Sequence, residues 1–305
     1  MMAWFDTLDS KIADYLPDLS YAKDEPMAKH TSFRIGGAAK RMVFPRTAEQ
    51  VVILSGFLQE LGVKPLIIGN GTNLLVSDEG LDTVVINMAG EFASVGKTGE
   101  TELTATAGIS LARLALFAWQ EGLTGLEFAH GIPGSLGGAI CMNAGAYGGE
   151  MKEVLREVTV LYPDGIRTLS ADELDLSYRH SVFSDDPDAV VLSAKVALQH
   201  GDKDAIKARM DELMTKRRAS QPLEFPSAGS TFKRPTGYYA GTLIEGCGLK
   251  GCRVGGAEVS AKHAGFVINT GNATCADVLA LIEKVQKTVF DTHGVMLEPE
   301  VKIIR

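Results

Sequence analysis

The chain has 305 residues, 45% of them hydrophobic, and a formal net charge of −8. That length supports two domains or one large one with a sizeable core, and the acidic balance argues against a general attraction to nucleic acid or anionic lipid. No apolar run approaches the roughly 20 residues of a membrane span, and the opening "MMAWFDTLDSKIADYLPDLS" lacks the basic and apolar regions of a secretory signal, so a cytoplasmic location is expected.

Residues 46–62, "RTAEQVVILSGFLQELG", predict an amphipathic helix with Val51, Leu54, Phe57, Leu58 and Leu61 on one face. "PLIIG" reads as a short buried strand, "NGTN" as a polar loop and "LLVS" as resumed extended structure. "DTVVIN" and "TELTATAG" read as further strands, and "SLARLALFAWQEG" (110–122) as a helix ending at Gly122. The first half is therefore β-α-β with a glycine-bearing loop after a strand. "EVTVLYPDGIRTLS" carries a hairpin signal around Pro163-Asp164-Gly165, and "AVVLSAKVAL" is another strand. A polar helix over 203–219 precedes the small-residue segment "QPLEFPSAGSTFKRPTG", where composition shifts and a main domain boundary is expected near 200–220. The remainder holds a helix at about 275–291, with Val278, Leu281, Ile282, Val285 and Val289 at helical spacing, and a terminal strand in "GVMLEPEVKII". The class is mixed α and β.

Cys141, Cys247, Cys252 and Cys275 lack the paired spacing of a zinc site, and the six histidines form no ligand motif, so reduced thiols and no metal are expected. Two glycine-rich segments carry the chemistry instead. In "IIGNGTNLLVSDEG" (67–80), Gly69 and Gly71 follow a strand and leave backbone amides able to converge on a phosphate, with Asn70, Thr72 and Asn73 as further donors. Leu74 breaks the G-x-G-x-x-G fingerprint and a strand follows, which disfavours a Rossmann site. Taken alone, the segment reads equally as a polar turn. In "HGIPGSLGGAICMNAGAYGGE" (130–150), seven of twenty-one residues are glycine. Two such loops suit a ligand with a pyrophosphate and a flat ring lying against the main chain; tight turns packed on one another are the alternative.

"HTSFRIGGAAKRMVFP", "IIGNGTNLL", "GLEFAHGIPGSLGGAICMNAGAYGGE", "YRHSVF", "QPLEFPSAGSTFKRP", "AGTLIEGCGLKGCRVGGAEVSAKHAGFVIN" and "GVMLEPEVKII" occur in this order. Together they resemble the UDP-N-acetylenolpyruvoylglucosamine reductase family, from about residue 28 to the C-terminus. The resemblance implies an α+β chain: an FAD-binding fold of the vanillyl-alcohol-oxidase (PCMH) type, then a smaller α/β substrate-binding domain. The implied division is an N-terminal segment 1–27, an FAD-binding region 28–205 (subdomains about 28–95 and 96–205) and a substrate-binding domain 206–305. The short connection after "YRHSVF" fits the family's shorter second type. His30, where Asn is more usual, and His130 depart from the pattern without touching the residues assigned to chemistry.

The activity so implied is NADPH-dependent, FAD-mediated reduction of UDP-N-acetyl-3-O-(1-carboxyvinyl)-glucosamine to UDP-N-acetylmuramate in peptidoglycan precursor synthesis. The family pattern matches Ser230 of "SAGS" as proton donor, Arg179 of "YRHS" as carboxylate grip and Glu300 of "LEPEV" as partner acid; on residues alone these are a turn serine, a surface arginine and a strand acid. Glu298 should alternate to the face opposite Glu300. Arg179 and Glu300 are expected to serve one carboxylate. Gly69, Asn70, Gly71, Thr72, Asn73, Leu74, Gly131, Ile132, Pro133, Gly134, Ser135, Gly137, Gly138, Asn143 and Gly145 are the expected cofactor contacts. No covalent-attachment histidine motif is recognised, so non-covalent FAD is expected, with NADPH as hydride donor. Tyr147, Arg218 and Lys233 are candidates for the substrate, with Lys216, Arg217 and Arg234 as other cations near its diphosphate. No nucleic acid or membrane partner is expected, and the chain should be a monomer or weak oligomer. An oxidase of the same FAD fold would lack "SAGS…FKRP" and "LEPEV", and a catalytically silent nucleotide-sugar binder would have lost Ser230, Arg179 or Glu300.

Overall fold

A computed structural model describes residues 3–184, 186 and 188–305. The chain divides into two compact units that are each discontinuous in sequence. The first comprises the segments up to Lys23, Arg41–Asn70 and Thr83–Thr215; the second comprises Asp24–Lys40, Gly71–Asp82 and Lys216–Arg305.

In the first unit the helix Ala48–Glu60 forms where the apolar period predicts it, with Thr47 capping it by accepting from the Gln50 amide. Val51, Leu54 and Leu58 are buried on its inner face, with Phe57 and Leu61 packed at the margin. Leu66–Ile68 follows and pairs in parallel with Leu81–Asn87. The helix Leu111–Gln120 is capped by Ser110 and ends before Gly122. A five-stranded sheet runs in the order Gly165–Ser170, Leu155–Tyr162, Val190–Ala197, Glu102–Thr106, Val95–Lys97, with antiparallel neighbours. Its Tyr162↔Gly165 pair closes the hairpin over Pro163 and Asp164. One apolar cluster extends from Leu8 to Met210.

Two helices of this unit escape a reading by period. Trp4–Tyr15 buries only Leu8 and Ile12, and Asp9 forks onto Arg41 at 2.7 and 2.8 Å. Leu136–Cys141 lies inside the glycine-rich stretch, too short to show a period.

The second unit has a four-stranded antiparallel sheet, Ser227–Ser230, Phe266–Asn269, Ala257–Val259, Arg253–Val254. The helix Cys275–His293 packs with the buried positions read from its sequence, begins at a Thr274–Asp277 capping box and ends at Gly294. The expected terminal strand is shorter than the sequence suggests. Only Lys302–Ile304 forms a strand, paired in parallel with Leu74–Val76, while Pro299 makes an isolated antiparallel bridge to Phe232. All four cysteines are free thiols. Among the described residues no helix is long and apolar enough to cross a membrane, and no group of three or more His, Cys, Asp or Glu is arranged to hold a metal ion.

Candidate active site

In the first unit, two loops named above as cofactor contacts lean on each other. The Asn70 side-chain amide donates to the Pro133 carbonyl at 3.1 Å, and a Cβ on Gly69 would lie 1.9 Å from Ser135 Oγ. Gly69 is therefore required by the approach of another loop, whatever else touches its other side. Gly134 and Ser135 bond into the fold through other groups: Leu111 N–H donates to the Gly134 carbonyl, and Ala139 N–H to that of Ser135. Their own amides donate to no protein acceptor among the described residues, although Ser135 is buried.

Gly71–Leu74 belong to the second unit. Gly71 has φ +59, a backbone conformation that a side chain strains, and a Cβ there would meet the His30 carbonyl oxygen at 2.0 Å. Added bulk at Gly71 would thus displace protein backbone before it displaced any ligand. The Gly71 and Asn73 carbonyls accept from Ser32 and Lys302, whereas the amides of Asn70, Gly71, Thr72 and Asn73 donate to no protein acceptor among the described residues. Backbone donors left unmade in buried or half-buried residues are costly unless something accepts from them. The amides of Gly71, Thr72 and Asn73 are donors of the kind a diphosphate needs, which fits FAD.

The Asn143 side chain is committed to the protein itself. It is fully buried, its Nδ2 donates to Glu150 Oε2 at 2.8 Å and to the Ser177 carbonyl at 3.0 Å, and its Oδ1 accepts from the Lys152 amide at 2.9 Å. With these three bonds Asn143 braces a turn. That turn presents Arg179. Ser177 and His180 exchange backbone bonds at 3.2 Å around Tyr178 and Arg179, and Arg179 adopts φ 56. Its guanidinium reaches the Gly145 carbonyl at 3.3 Å and stacks 5.0 Å from the Tyr178 ring centroid. Tyr147, exposed and at φ 55, lies two residues beyond Gly145. A non-glycine side chain in this conformation costs about 1–3 kcal/mol, so Asn143, Tyr147 and Arg179 together mark a stretch held by its surroundings.

In the second unit a bulge sets Ser230. The pairs Ser227↔Ile268 and Ser230↔Phe266 leave one extra residue on the first strand, accommodated by Gly229 at φ +76. Without the bulge Ala228 and Ser230 would share a face; with it Ala228 is buried and Ser230 is exposed. The Ser230 hydroxyl makes no side-chain hydrogen bond among the described residues. Beyond it the chain meets the C-terminal segment: Glu300 N–H donates to the Thr231 carbonyl at 2.8 Å and Lys233 N–H to that of Glu298 at 2.8 Å. Residues far apart in sequence thus lie side by side, with Glu300 bonded to Thr231 just beyond the serine strand. Glu298 is exposed and ion-paired with Lys233, while Glu300 is half-buried. Arg218 is exposed at the end of the Lys203–Ser220 helix, its carbonyl accepting from Lys262 at 2.7 Å. Sequence spacing carried no signal for the bracing roles of Asn143 and Asn73.

Residues 39–170 match a family model described as "FAD binding domain", and residues 221–304 one described as "UDP-N-acetylenolpyruvoylglucosamine reductase, C-terminal domain". The class is therefore an α+β flavoprotein oxidoreductase with an FAD-binding domain of the PCMH type. The fold alone is shared with alkyldihydroxyacetonephosphate synthase, at a TM-score of 0.50 and 17% identity over 65% of this chain and 41% of that one. UDP-N-acetylenolpyruvoylglucosamine reductase of Caldanaerobacter subterraneus subsp. tengcongensis is 49% identical over 97% of this chain and 98% of its own length. The Geobacillus kaustophilus protein of that name is 48% identical over 96% of both. The crystal structure of UDP-N-acetylenolpyruvylglucosamine reductase from Thermus caldophilus superposes with a TM-score of 0.81 at 34% identity, covering 94% of this chain and 99% of that one. The chain belongs to the UDP-N-acetylenolpyruvoylglucosamine reductase family.

Proposed function

We propose that this chain reduces UDP-N-acetyl-3-O-(1-carboxyvinyl)-glucosamine to UDP-N-acetylmuramate in the cytoplasm, in peptidoglycan precursor synthesis, with NADPH as electron source and non-covalent FAD. Full-length similarity to reductases of that name supports the substrate class. The observation that carries the reaction is the Ser230 hydroxyl, exposed beside Glu300 on a bulge that aims it outward.

FAD, when bound and reduced by NADPH, would supply a hydride for the terminal methylene carbon of the enol ether. Charge then develops on the adjacent carbon and spreads into the carboxylate. Ser230 gives its proton to that adjacent carbon, completing the conversion of the double bond to a single bond, and recovers a proton from solvent. An alcohol is a weak acid, so this transfer depends on the basicity of the developing carbanion and on neighbouring groups. Arg179 grips the carboxylate with its planar fork, and Glu300 holds a proton on the same group. The amides of Gly71, Thr72 and Asn73 take the cofactor's diphosphate. Arg218 and Lys233 take the substrate's diphosphate, Lys233 exchanging Glu298 for phosphate, and Tyr147 lies along the sugar nucleotide.

The test is anaerobic. Protein reduced with NADPH is mixed with the enolpyruvyl substrate, flavin absorbance is followed and the product is weighed by mass spectrometry. Rapid return of oxidised flavin absorbance with a product heavier by two hydrogens is expected; a flavin that stays reduced would overturn the reading.

A further inference from the structure

Asn73 lies in the loop whose amides fit the cofactor's diphosphate, but its side chain is turned to the C-terminal segment. Its Nδ2 donates to the Glu300 carbonyl at 3.0 Å, and its own carbonyl accepts from Lys302 N–H at 2.9 Å. Asn73 thus holds the chain on both sides of the peptide that follows Glu300. On its other side, Glu300 N–H is held by the Thr231 carbonyl, one residue after Ser230. The attachment continues as a parallel ladder, Lys302↔Leu74, Ile303↔Leu75 and Ile304↔Val76, closed by Ser77 N–H on the Ile304 carbonyl at 2.9 Å. A half-buried acid that must hold a proton at a fixed point tolerates little displacement, on the order of 0.5 Å.

We infer that Asn73 is a positioning residue for Glu300: the loop whose amides take the cofactor's diphosphate and the segment that presents the acid are one bonded piece, and Asn73 sets the acid's height. The inference rests on the proposed role of Glu300. It departs from the sequence expectation that the Asn73 side chain is a cofactor donor.

The test uses the holoenzyme and the variants Asn73→Ala, Asn73→Asp and Glu300→Gln. Asn73→Asp puts a carboxylate oxygen against the Glu300 carbonyl, replacing attraction with repulsion at nearly constant shape. Flavin reduction by NADPH, reoxidation by the enolpyruvyl substrate, the pH dependence of reoxidation, FAD affinity by fluorescence, and amide exchange across 298–302 are measured. Both Asn73 variants should slow reoxidation about tenfold, as expected for one lost positioning hydrogen bond, and move the pH limb lost in Glu300→Gln. Exchange at 298–302 should speed up, and with FAD saturating, reoxidation should slow more than flavin reduction does. Weakened FAD with both half-reactions slowed alike would overturn the inference and return Asn73 to the cofactor. Parent-like reoxidation in the Asn73 variants, with Glu300→Gln impaired, would overturn the inference alone. Parent-like reoxidation in Glu300→Gln would overturn the role of Glu300 and the inference with it.

Discussion

Arg179 illustrates how much a single side chain owes to residues that never approach the chemistry. Its turn is tied to buried Asn143 through Ser177, its guanidinium bonds the Gly145 carbonyl, and its ring neighbour is Tyr178. Such a grip is directional, because two parallel N–H groups must meet a planar carboxylate. Arg179→Lys keeps the charge and loses the fork. We expect the reoxidation half-reaction to fall about 100-fold, the scale of one lost transition-state donor, with less change in substrate affinity. Steady-state kinetics measure both; near-normal turnover with raised KM would assign Arg179 to ground-state binding. The motif "YRHS" made this arginine legible. Nothing in the sequence made its support legible, because Asn143 acts through contacts 34 positions away, and an asparagine in a glycine-rich loop looks like a ligand.

At the scale of elements, the helices with a clean apolar period and the charged helix Lys203–Ser220 were legible, whereas Trp4–Tyr15 and Leu136–Cys141 were not. The Trp4–Tyr15 helix shows why: its attachment depends on one ion pair as much as on apolar burial. Arg41 is nearly buried against Asp9, with Lys23 on the other carboxylate oxygen at 2.7 Å and the Phe5 ring 4.9 Å from the guanidinium carbon. Burial works to raise the Asp9 carboxyl, but hydrogen bonds from Arg41 and Lys23 outweigh it and hold the group below its ordinary range. A carboxyl depressed in the folded state contributes stability above its unfolded pKa and loses it as pH falls through the folded one. Asp9→Asn removes the carboxylate that Arg41 and Lys23 share, and we expect about 3 kcal/mol of destabilisation at pH 7. The gap from the parent should begin to narrow below about pH 4, where the unfolded chain's Asp9 takes up a proton, and close as pH falls through the lower folded value. Urea denaturation at several pH values measures this. Equal midpoints at pH 7 would mean the pair contributes nothing net.

For the whole molecule, a linear reading assigns contiguous domains, whereas each compact unit is assembled from three separated segments. Segments 24–40 and 71–82 join residues 216–305 because bonds such as Ser32 Oγ to the Ser227 carbonyl, at 2.6 Å, and the Leu74–Val76 ladder recruit them. Long-range pairing of this kind leaves no period in the sequence. The dense glycine of both loops was legible as a demand for space. Part of that space is filled by the protein itself, Ser135 against Gly69 and the His30 carbonyl against Gly71, while neighbouring amides remain for a diphosphate. The central claim is that Ser230, turned outward by its bulge, delivers the proton that completes enol ether reduction. Stopped-flow absorbance of Ser230→Ala tests it most directly, because the two half-reactions separate in time. Flavin reduction by NADPH should match the parent, while reoxidation by the enolpyruvyl substrate should slow by about 10²–10⁴-fold, the range for a lost general acid. Equal slowing of both steps, or reoxidation at the parent rate, would contradict the assignment.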